Sequence, residues 1–205
     1  MRGDCSFIAN NSAELSVDPR NGLLTRARFR NSPYYDPRPP GCVPELIVVH
    51  GISLPAGEFG GSWIDALFTG NLPTAGPAWL EELRGLRVSA HLLIRRDGQL
   101  VQYVPFHERA WHAGTSVYCG RSHCNDFSIG IELEGSDEIP YEANQYELLA
   151  AVIAALIAAY PGLSRERIAG HADIAPGRKT DPGPAFQWRR LLSLLDRKLG
   201  GDNLM

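Results

Sequence analysis

The segment FSIGIELEG, residues 127–135, constrains the fold most strongly, because its side chains alternate strictly in character. In an extended chain, successive side chains project to opposite sides. One side carries Ile129, Ile131 and Leu133, and the other carries Ser128, Gly130, Glu132 and Glu134. The pattern predicts a β-strand with one apolar face, which must be covered by other elements of the fold.

Other segments predict further strands and helices. The predicted strands are LIVVH (46–50), VSAHLLIR (88–95), LVQYV (100–104) and RIAGH (167–171). Asp97 and Gly98 form a turn signal that joins the second and third of these as a hairpin. The predicted helices are SWIDALFTG (62–70), an apolar stripe within 148–160, and residues 185–199. Together they predict a single α/β domain, in which a mixed central β-sheet is flanked by α-helices.

Composition and charge limit the classes of function. The chain has 205 residues, of which 44% are apolar and 21% are charged, as expected for one globular domain. A net charge of −3 disfavours nucleic acid and anionic membranes as partners, and no obligate protein partner is evident. The first residues contain no apolar signal-peptide core, so we expect a cytoplasmic protein. Residues 1–30 lack periodicity and predict a loosely ordered arm before the domain at 31–200.

Two of the six histidines lie where sites assemble in α/β proteins. His50 and His171 each end a predicted strand and precede a glycine-containing loop. Asp181, in the loop GHADIAPGRKTDPGP (170–184), offers a carboxylate as a third ligand. Two histidines and a carboxylate form a three-ligand catalytic zinc site with one open position. Lys179 lies two residues before Asp181, so both side chains can face one point.

The remaining histidines and acids leave alternatives open. The segment HERAWH (107–112) resembles a zinc-protease motif, but its histidines are five residues apart rather than four, which excludes a shared helix face. Trp111 and His112 are instead predicted to line a substrate groove. His91 is predicted to be structural, and His107 and His123 to be exposed. The catalytic base could be Glu132 or Glu134, which periodicity does not distinguish, and Cys124 is an alternative nucleophile.

Several long motifs resemble the AmpD-type N-acetylmuramoyl-L-alanine amidases. This family belongs to a zinc-amidase group that includes peptidoglycan recognition proteins and a phage lysozyme. The similarity extends from about Pro33 to Trp188. The motifs that carry it are LIVVHGISLPAGEFGG, VSAHLLIRRDGQLVQYVPF, RAWHAG, CNDFSIGIELEG and GHADIAPGRKTDPGPAFQW.

The resemblance implies a reaction and roles for individual residues. It implies one zinc ion held by His50, His171 and Asp181, and hydrolysis of the amide between muramic acid and L-alanine. The implied substrate is a soluble 1,6-anhydro-muropeptide, a recycled fragment of the cell wall. The implied catalytic residues are Glu132, as the base, and Lys179, at the developing oxyanion. Arg87 matches a position that grips the carboxylates of the stem peptide.

The chain departs from the family pattern at two positions associated with substrate binding. Gly51 stands where relatives commonly have asparagine, and His123 where they often have arginine. The alternatives to the amidase are a non-catalytic peptidoglycan-binding module, a wall-lytic amidase and a cysteine hydrolase. Retention of His50, His171 and Asp181 together favours the zinc amidase.

Overall fold

A six-stranded mixed β-sheet lies at the centre of the computed structural model, which describes residues 14–200. The strands, in chain order, are β1 (Val17–Asp18), β2 (Leu23–Leu24), β3 (Arg28–Phe29), β4 (Tyr35–Asp36), β5 (Leu46–Ile52), β6 (Leu92–Ile94), β7 (Leu100–Gln102), β8 (Arg109–Ala110), β9 (Val117–Tyr118), β10 (Arg121–Ser122), β11 (Ser128–Glu134) and β12 (Ile168–Gly170). The helices are α1 (Trp63–Phe68), α2 (Ala143–Ala159), α3 (His171–Ile174) and α4 (Trp188–Leu199), with 3-10 helices at Ala78–Leu83 and Cys124–Asp126. The predicted mixed α/β class is confirmed.

The order of strands in the central sheet is β12-β5-β11-β6-β7-β3. Strands β12, β5, β11 and β6 are parallel, and the predicted hairpin joins β6 to an antiparallel β7. In the register of β5 and β11, Glu132 lies directly beside His50. Strand β12 pairs with the other side of β5, with Gly170 beside Val49. The sheet therefore brings the ends of three strands that carry polar side chains to one edge.

The two faces of the sheet are covered differently. Ile47 and Val49 of β5 and the odd-numbered residues of β11 pack into a core that includes apolar side chains of α2 and α4. The opposite face of β5 carries Leu46 and Val48, which pack against residues of the loops and of α3. His50 lies in phase with Leu46 and Val48, so its side chain projects to the face opposite α2.

Several boundaries differ from the sequence predictions. Helix α2 begins at Ala143, because Glu142 and Gln145 form a capping box that extends it before the predicted stripe. His171 begins the short helix α3 instead of ending a strand. The hairpin strands are shorter than predicted, at three residues each.

Part of the predicted arm has regular structure. Strands β1, β2 and β3 fall within residues 14–30, and Leu15 and Leu24 are buried in the core. These strands have two residues each, too few to show a periodic pattern. Residues 1–13 lie outside the described part of the chain, and the division at residue 30 stays a prediction. Within 14–200, no helix has the length and apolar character needed to cross a membrane.

Candidate active site

Three predicted metal ligands converge at the edge of the sheet. His50 Nδ1 lies 3.0 Å from His171 Nδ1 and 3.2 Å from Asp181 Oδ2. His171 Nδ1 lies 3.1 Å from the same carboxylate oxygen. We call these three residues the metal cluster. Within residues 14–200, it is the one group of three or more His, Cys, Asp or Glu side chains whose ligand atoms all lie within 4.8 Å of one another.

Two neighbouring strands and one loop position the three members of the metal cluster. His50 lies near the end of β5, and His171 follows β12 directly on the neighbouring strand. Asp181 lies in the loop after α3, and its carbonyl accepts a hydrogen bond from Ala172 N at 2.9 Å. Two adjacent parallel strands and one returning loop thus bring together residues that are 131 positions apart.

The charges of the metal cluster suit a cation. Burial lowers the pKa of His50 to about 4, so its ring is neutral near pH 7 and can donate a lone pair. Burial acts to raise the pKa of Asp181, but hydrogen bonds with His171 and His50 outweigh it and hold the pKa below its usual value. The cluster therefore offers two imidazoles and one carboxylate.

The donor set and its spacing fit zinc. Zinc prefers tetrahedral sites of histidine nitrogen and carboxylate oxygen, with bonds of about 2.0–2.2 Å. Tetrahedral bonds of that length place ligand atoms about 3.3–3.6 Å apart. The three separations, 3.0, 3.1 and 3.2 Å, lie slightly below that range. One ion could therefore contact all three atoms and keep a fourth position open.

Glu132 lies beside the metal cluster. Its Oε1 is 4.0 Å from His50 Nδ1, and its side chain is buried. Its Oε2 is buried and has no hydrogen-bond partner among the described residues. Burial, followed by the negative charge of Asp181, raises the pKa of Glu132 well above its usual value, while the positive charge of Lys179 opposes this shift. A buried carboxylate without a partner is costly, and such groups are typical of functional sites.

Lys179 is exposed and lies close enough to act on the site through its charge. After burial, which dominates the pKa of His50, the charge of Lys179 is among the influences that lower it. The same charge favours the ionised form of Glu132. That Lys179 and Asp181 face one point stays a prediction.

Arg87 borders a cleft of about 320 Å³, which is also lined by Tyr34, Leu80 and Arg84. The Trp111 ring stacks on Tyr34, with ring centroids 6.2 Å apart. Trp111 Nε1 donates a hydrogen bond to Asp36 Oδ1 at 3.0 Å, which fixes the indole. An arginine and an oriented aromatic ring thus lie in one region.

His112, predicted as a substrate-binding residue, is half-buried and contacts the metal cluster. Its Nδ1 lies 2.9 Å from His50 Nε2, and its Nε2 lies 3.1 Å from Ser128 Oγ. Burial holds the pKa of His112 well below its usual value. The sequence does not predict this contact directly. The alternating pattern of β11 offered the only signal, since Ser128 shares a face with Glu132.

The other histidines and Cys124 occupy structural positions. His91 is fully buried and accepts a hydrogen bond at Nδ1 from Gly130 N, in agreement with a structural role. His107 and His123 are exposed, as predicted. Burial raises the pKa of the Cys124 thiol, which disfavours a reactive thiolate.

Gly51 directly follows the first member of the metal cluster. A Cβ at this position would overlap the hydroxyl of Tyr141. That hydroxyl donates a hydrogen bond of 2.9 Å to the carbonyl of Pro182, the residue after Asp181. The space beside His50 is therefore occupied by a side chain that also ties down the loop of Asp181.

Glu134 is buried in a second cluster of charged residues, which no local pattern in the sequence indicates. Its Oε1 accepts hydrogen bonds from Gly60 N at 2.6 Å and Arg95 Nη1 at 3.2 Å. Arg95 Nη2 also pairs with Asp65 at 3.1 Å, and Arg30 pairs with the same Asp65 oxygen at 3.2 Å. We call Arg30, Asp65, Arg95 and Glu134 the arginine cluster. No regular spacing links these four residues, so only the folded chain reveals them.

The family of the chain follows from comparison with known proteins. The family model of N-acetylmuramoyl-L-alanine amidases matches residues 40–184. The chain belongs to this amidase family. AmpD of Escherichia coli (strain K12), a 1,6-anhydro-N-acetylmuramyl-L-alanine amidase, is 59% identical to this amidase over 177 residues, which cover 86% of this chain and 96% of the relative.

Solved structures agree with this membership. A crystal structure of a selenomethionine derivative of AmpD superimposes on the amidase with a TM-score of 0.84. It is 57% identical in sequence, and the match covers 87% of this chain and 98% of that one. AmiD from E. coli, in complex with anhydro-N-acetylmuramic acid-L-Ala-D-gamma-Glu-L-Lys, is 29% identical with a TM-score of 0.54, over 88% of this chain and 65% of that one.

Proposed function

We propose that this amidase hydrolyses the amide bond between 1,6-anhydro-N-acetylmuramic acid and the L-alanine of the stem peptide, in the recycling of cell-wall fragments. The observation that carries the proposal is the metal cluster beside a buried Glu132, whose Oε2 has no hydrogen-bond partner among residues 14–200, in a member of this family. The name of the E. coli relative states the same activity. The substrate of the AmiD complex, an anhydro-muramyl peptide, belongs to the same chemical class.

His50, His171 and Asp181 would hold one zinc ion. When bound there, zinc supplies a Lewis acid that polarises a carbonyl and makes water more acidic. His50 and His171 each direct Nδ1 to the metal cluster, and both rings are almost fully buried, at 1% and 3% exposure. These rings cannot rotate away easily, so the site is held ready for its ligand.

Glu132 is the proposed proton carrier. Its carboxylate lies 4.0 Å from His50 Nδ1 and therefore beside the place where the attacking water must sit. The carboxylate would take the proton of that water and then deliver it to the departing amine of L-alanine. The raised pKa of Glu132 suits both steps, because it makes the carboxylate a stronger base and makes its protonated form more populated.

Lys179 is proposed to stabilise the oxyanion that forms on the carbonyl oxygen. Its charge acts on both His50 and Glu132, so it lies within electrostatic reach of the reacting atoms. Preorganised positive charge at a developing oxyanion contributes on the order of 10²–10³ in rate. The ammonium group is exposed in the free enzyme, and bound substrate would exclude water from it.

Substrate recognition is proposed for Arg87 and Trp111. Arg87 borders the cleft and is exposed, as a residue that binds a peptide carboxylate must be. Trp111 stacks on Tyr34 of the cleft lining and directly precedes His112, which contacts His50. A charged hydrogen bond from Arg87 to a free carboxylate would contribute about 1.5–3 kcal/mol.

The decisive experiment is digestion of a defined 1,6-anhydro-muramyl tripeptide, with products identified by mass spectrometry. We expect a free sugar and a free peptide, no reaction after chelation, and recovery when zinc is restored. Cleavage inside the peptide, or full activity in metal-free protein, would contradict the proposal.

Arg87→Ala should lower kcat/KM more for the tripeptide substrate than for one that carries L-alanine alone. The cytoplasmic location stays a prediction, which fractionation of cells with antibody detection would test.

A further inference from the structure

His112 fills the space between a metal ligand and strand β11. Its two ring nitrogens face His50 Nε2 at 2.9 Å and Ser128 Oγ at 3.1 Å. The His112 and His50 rings meet edge to face, with centroids 5.0 Å apart. Both nitrogens of His112 are thus engaged by the protein, which leaves neither for a substrate.

The chemistry of a metal ligand fixes the direction of these hydrogen bonds. His50 presents Nδ1 to the metal cluster, so that nitrogen must carry a free lone pair when a cation is bound. The proton of the neutral ring then lies on Nε2, which donates to His112 Nδ1. His112 in turn carries its proton on Nε2 and donates it to Ser128 Oγ. A single proton arrangement therefore satisfies the whole chain of three side chains.

The next residue gives the same support to the second histidine. His171 Nε2 lies 3.3 Å from the carbonyl oxygen of Ala113 and can donate its proton there. Residues 112 and 113 are held in place by Asn125, whose Oδ1 accepts hydrogen bonds from both of their backbone N–H groups, at 3.1 and 2.8 Å. One short segment thus contacts the far nitrogen of both histidines.

Strand β11 is shaped to admit the His112 ring. Gly130 lies between Ser128 and Glu132 on the same face of the strand. A Cβ at Gly130 would overlap the ring atoms of His112. The small residue in the middle of this face is therefore explained by the ring that packs on it, and not by an unusual backbone angle.

We propose that His112 is a positioning residue for the metal centre: it accepts the Nε2 proton of His50, and residues 112 and 113 together fix the orientation of both histidine ligands. This inference rests on the zinc site proposed above. It replaces substrate binding as the role of His112. Such partners of metal-bound histidines typically change metal affinity by 10–100-fold when removed.

The test compares zinc affinities, measured by competition with a chromogenic chelator. His112→Phe keeps a ring but removes the acceptor, and we expect about 10–100-fold weaker zinc binding. His112→Asn restores an oxygen near the position of Nδ1 and should bind zinc more tightly than His112→Phe. Trp111→Phe, at the neighbouring residue, should keep the zinc affinity of the wild type. Equal affinity in the wild type and in folded His112→Phe would overturn the inference.

A spectroscopic measurement and a second site guard against a misfolded variant. In the zinc-loaded wild type, we expect a slowly exchanging Nε2 proton of His50 in nitrogen-edited NMR spectra, and its loss in His112→Phe. If His112→Phe does not fold, Asn125→Leu should weaken zinc binding, whereas Asn125→Asp, which keeps the acceptor, should not. Unchanged affinity in folded Asn125→Leu would then overturn the inference. Absence of zinc binding by the wild type would instead refute the zinc site itself.

Discussion

Glu132 and Glu134 project from the same face of β11, and both are buried, at 8% and 2% exposure. Their surroundings are opposite. Glu134 contacts the guanidinium of Arg95 and accepts hydrogen bonds from the backbone N–H groups of Gly60 and Arg96. Glu132 has one oxygen near His50 and, among residues 14–200, no hydrogen-bond partner for the other. Two chemically identical side chains, two positions apart, are thus prepared for different tasks.

The comparison extends to the clusters around each carboxylate. In the arginine cluster, two guanidinium groups balance two carboxylates, so the charges are compensated within the protein. At the metal cluster, Asp181 and the neighbouring Glu132 bring two carboxylates together, and the pKa of Glu132 rises first through burial and then through the charge of Asp181. The difference teaches that burial alone does not mark a functional acid. A buried carboxylate whose charge is not balanced by an arginine or lysine in contact with it is the better criterion.

The largest expected effect comes from the metal cluster. Asp181→Ala and His171→Ala should remove bound zinc and abolish turnover, because each deletes one of three convergent ligands. The folding stability of the metal-free protein should change by only about 1 kcal/mol, since sites of this kind are not optimised for stability. Elemental analysis and denaturant unfolding in chelator measure the two quantities. Full zinc in either variant would refute the assignment of ligands.

The next effect separates the two carboxylates of β11 directly. Glu132→Gln should lower kcat by about 10²–10⁴-fold, because the amide cannot take the proton of water. It should keep its zinc and its fold. Glu134→Gln serves as the matched control, and its kcat should fall far less. Steady-state kinetics on the anhydro-muropeptide measure kcat for both variants. A larger loss of kcat in Glu134→Gln than in Glu132→Gln would show that Glu134 is the catalytic carboxylate.

The sequence anticipates those parts of the fold that repeat a local pattern. The sequence predicts strands β5 and β11 and helix α2, because five or more consecutive residues carry an apolar run, an alternation or a helical stripe. Strands β3 and β4 have two residues each and pair with strands far along the chain, so no local window contains their signal. Alternation also reveals which residues share a face, but not what covers that face. The burial of Glu134 could therefore not be inferred.

The site likewise contains residues that local patterns indicate and contacts that they do not. His50, His171 and Asp181 were found because strand ends and glycine-containing loops are local features. The contact of His112 with His50 joins residues 62 positions apart, and the pairing of Arg95 with Asp65 joins two more residues without any shared motif. Such contacts depend on the register of the sheet and on loops packed against it. Choosing Glu132 over Glu134 rested on family resemblance, which the surroundings of the two carboxylates now support.

A smaller effect is expected when the compensation of the arginine cluster is disturbed. Glu134→Gln removes the negative charge that faces Arg95, although it keeps an oxygen for Gly60 N. We expect a loss of about 1–3 kcal/mol in the free energy of unfolding, with or without zinc. Denaturant unfolding measures it, and Glu132→Gln is the control. A larger loss for Glu132→Gln than for Glu134→Gln would invalidate the contrast between the clusters.

The smallest effect is expected when a tyrosine next to each cluster is replaced by phenylalanine. Tyr103 and Tyr141 are buried, and each donates a hydrogen bond through its hydroxyl, to Asp65 and to the carbonyl of Pro182 respectively. Burial raises the pKa of both tyrosines, so both hydroxyls keep their protons near neutral pH. Each replacement by phenylalanine should cost about 1 kcal/mol, the usual contribution of one hydrogen bond.

The two tyrosines should nevertheless differ in what they change. Tyr103→Phe keeps the ring packed on Phe68 and leaves Asp65 paired with two arginines, so stability should fall while zinc affinity and kcat remain those of the wild type. Tyr141→Phe frees the carbonyl of the residue after Asp181, so its cost should appear as weaker zinc binding and slower turnover. Unfolding curves, chelator competition and kinetics on both variants provide the comparison. If Tyr103→Phe reduces zinc affinity as much as Tyr141→Phe does, the two clusters are coupled, and the contrast between a compensated and an uncompensated carboxylate fails.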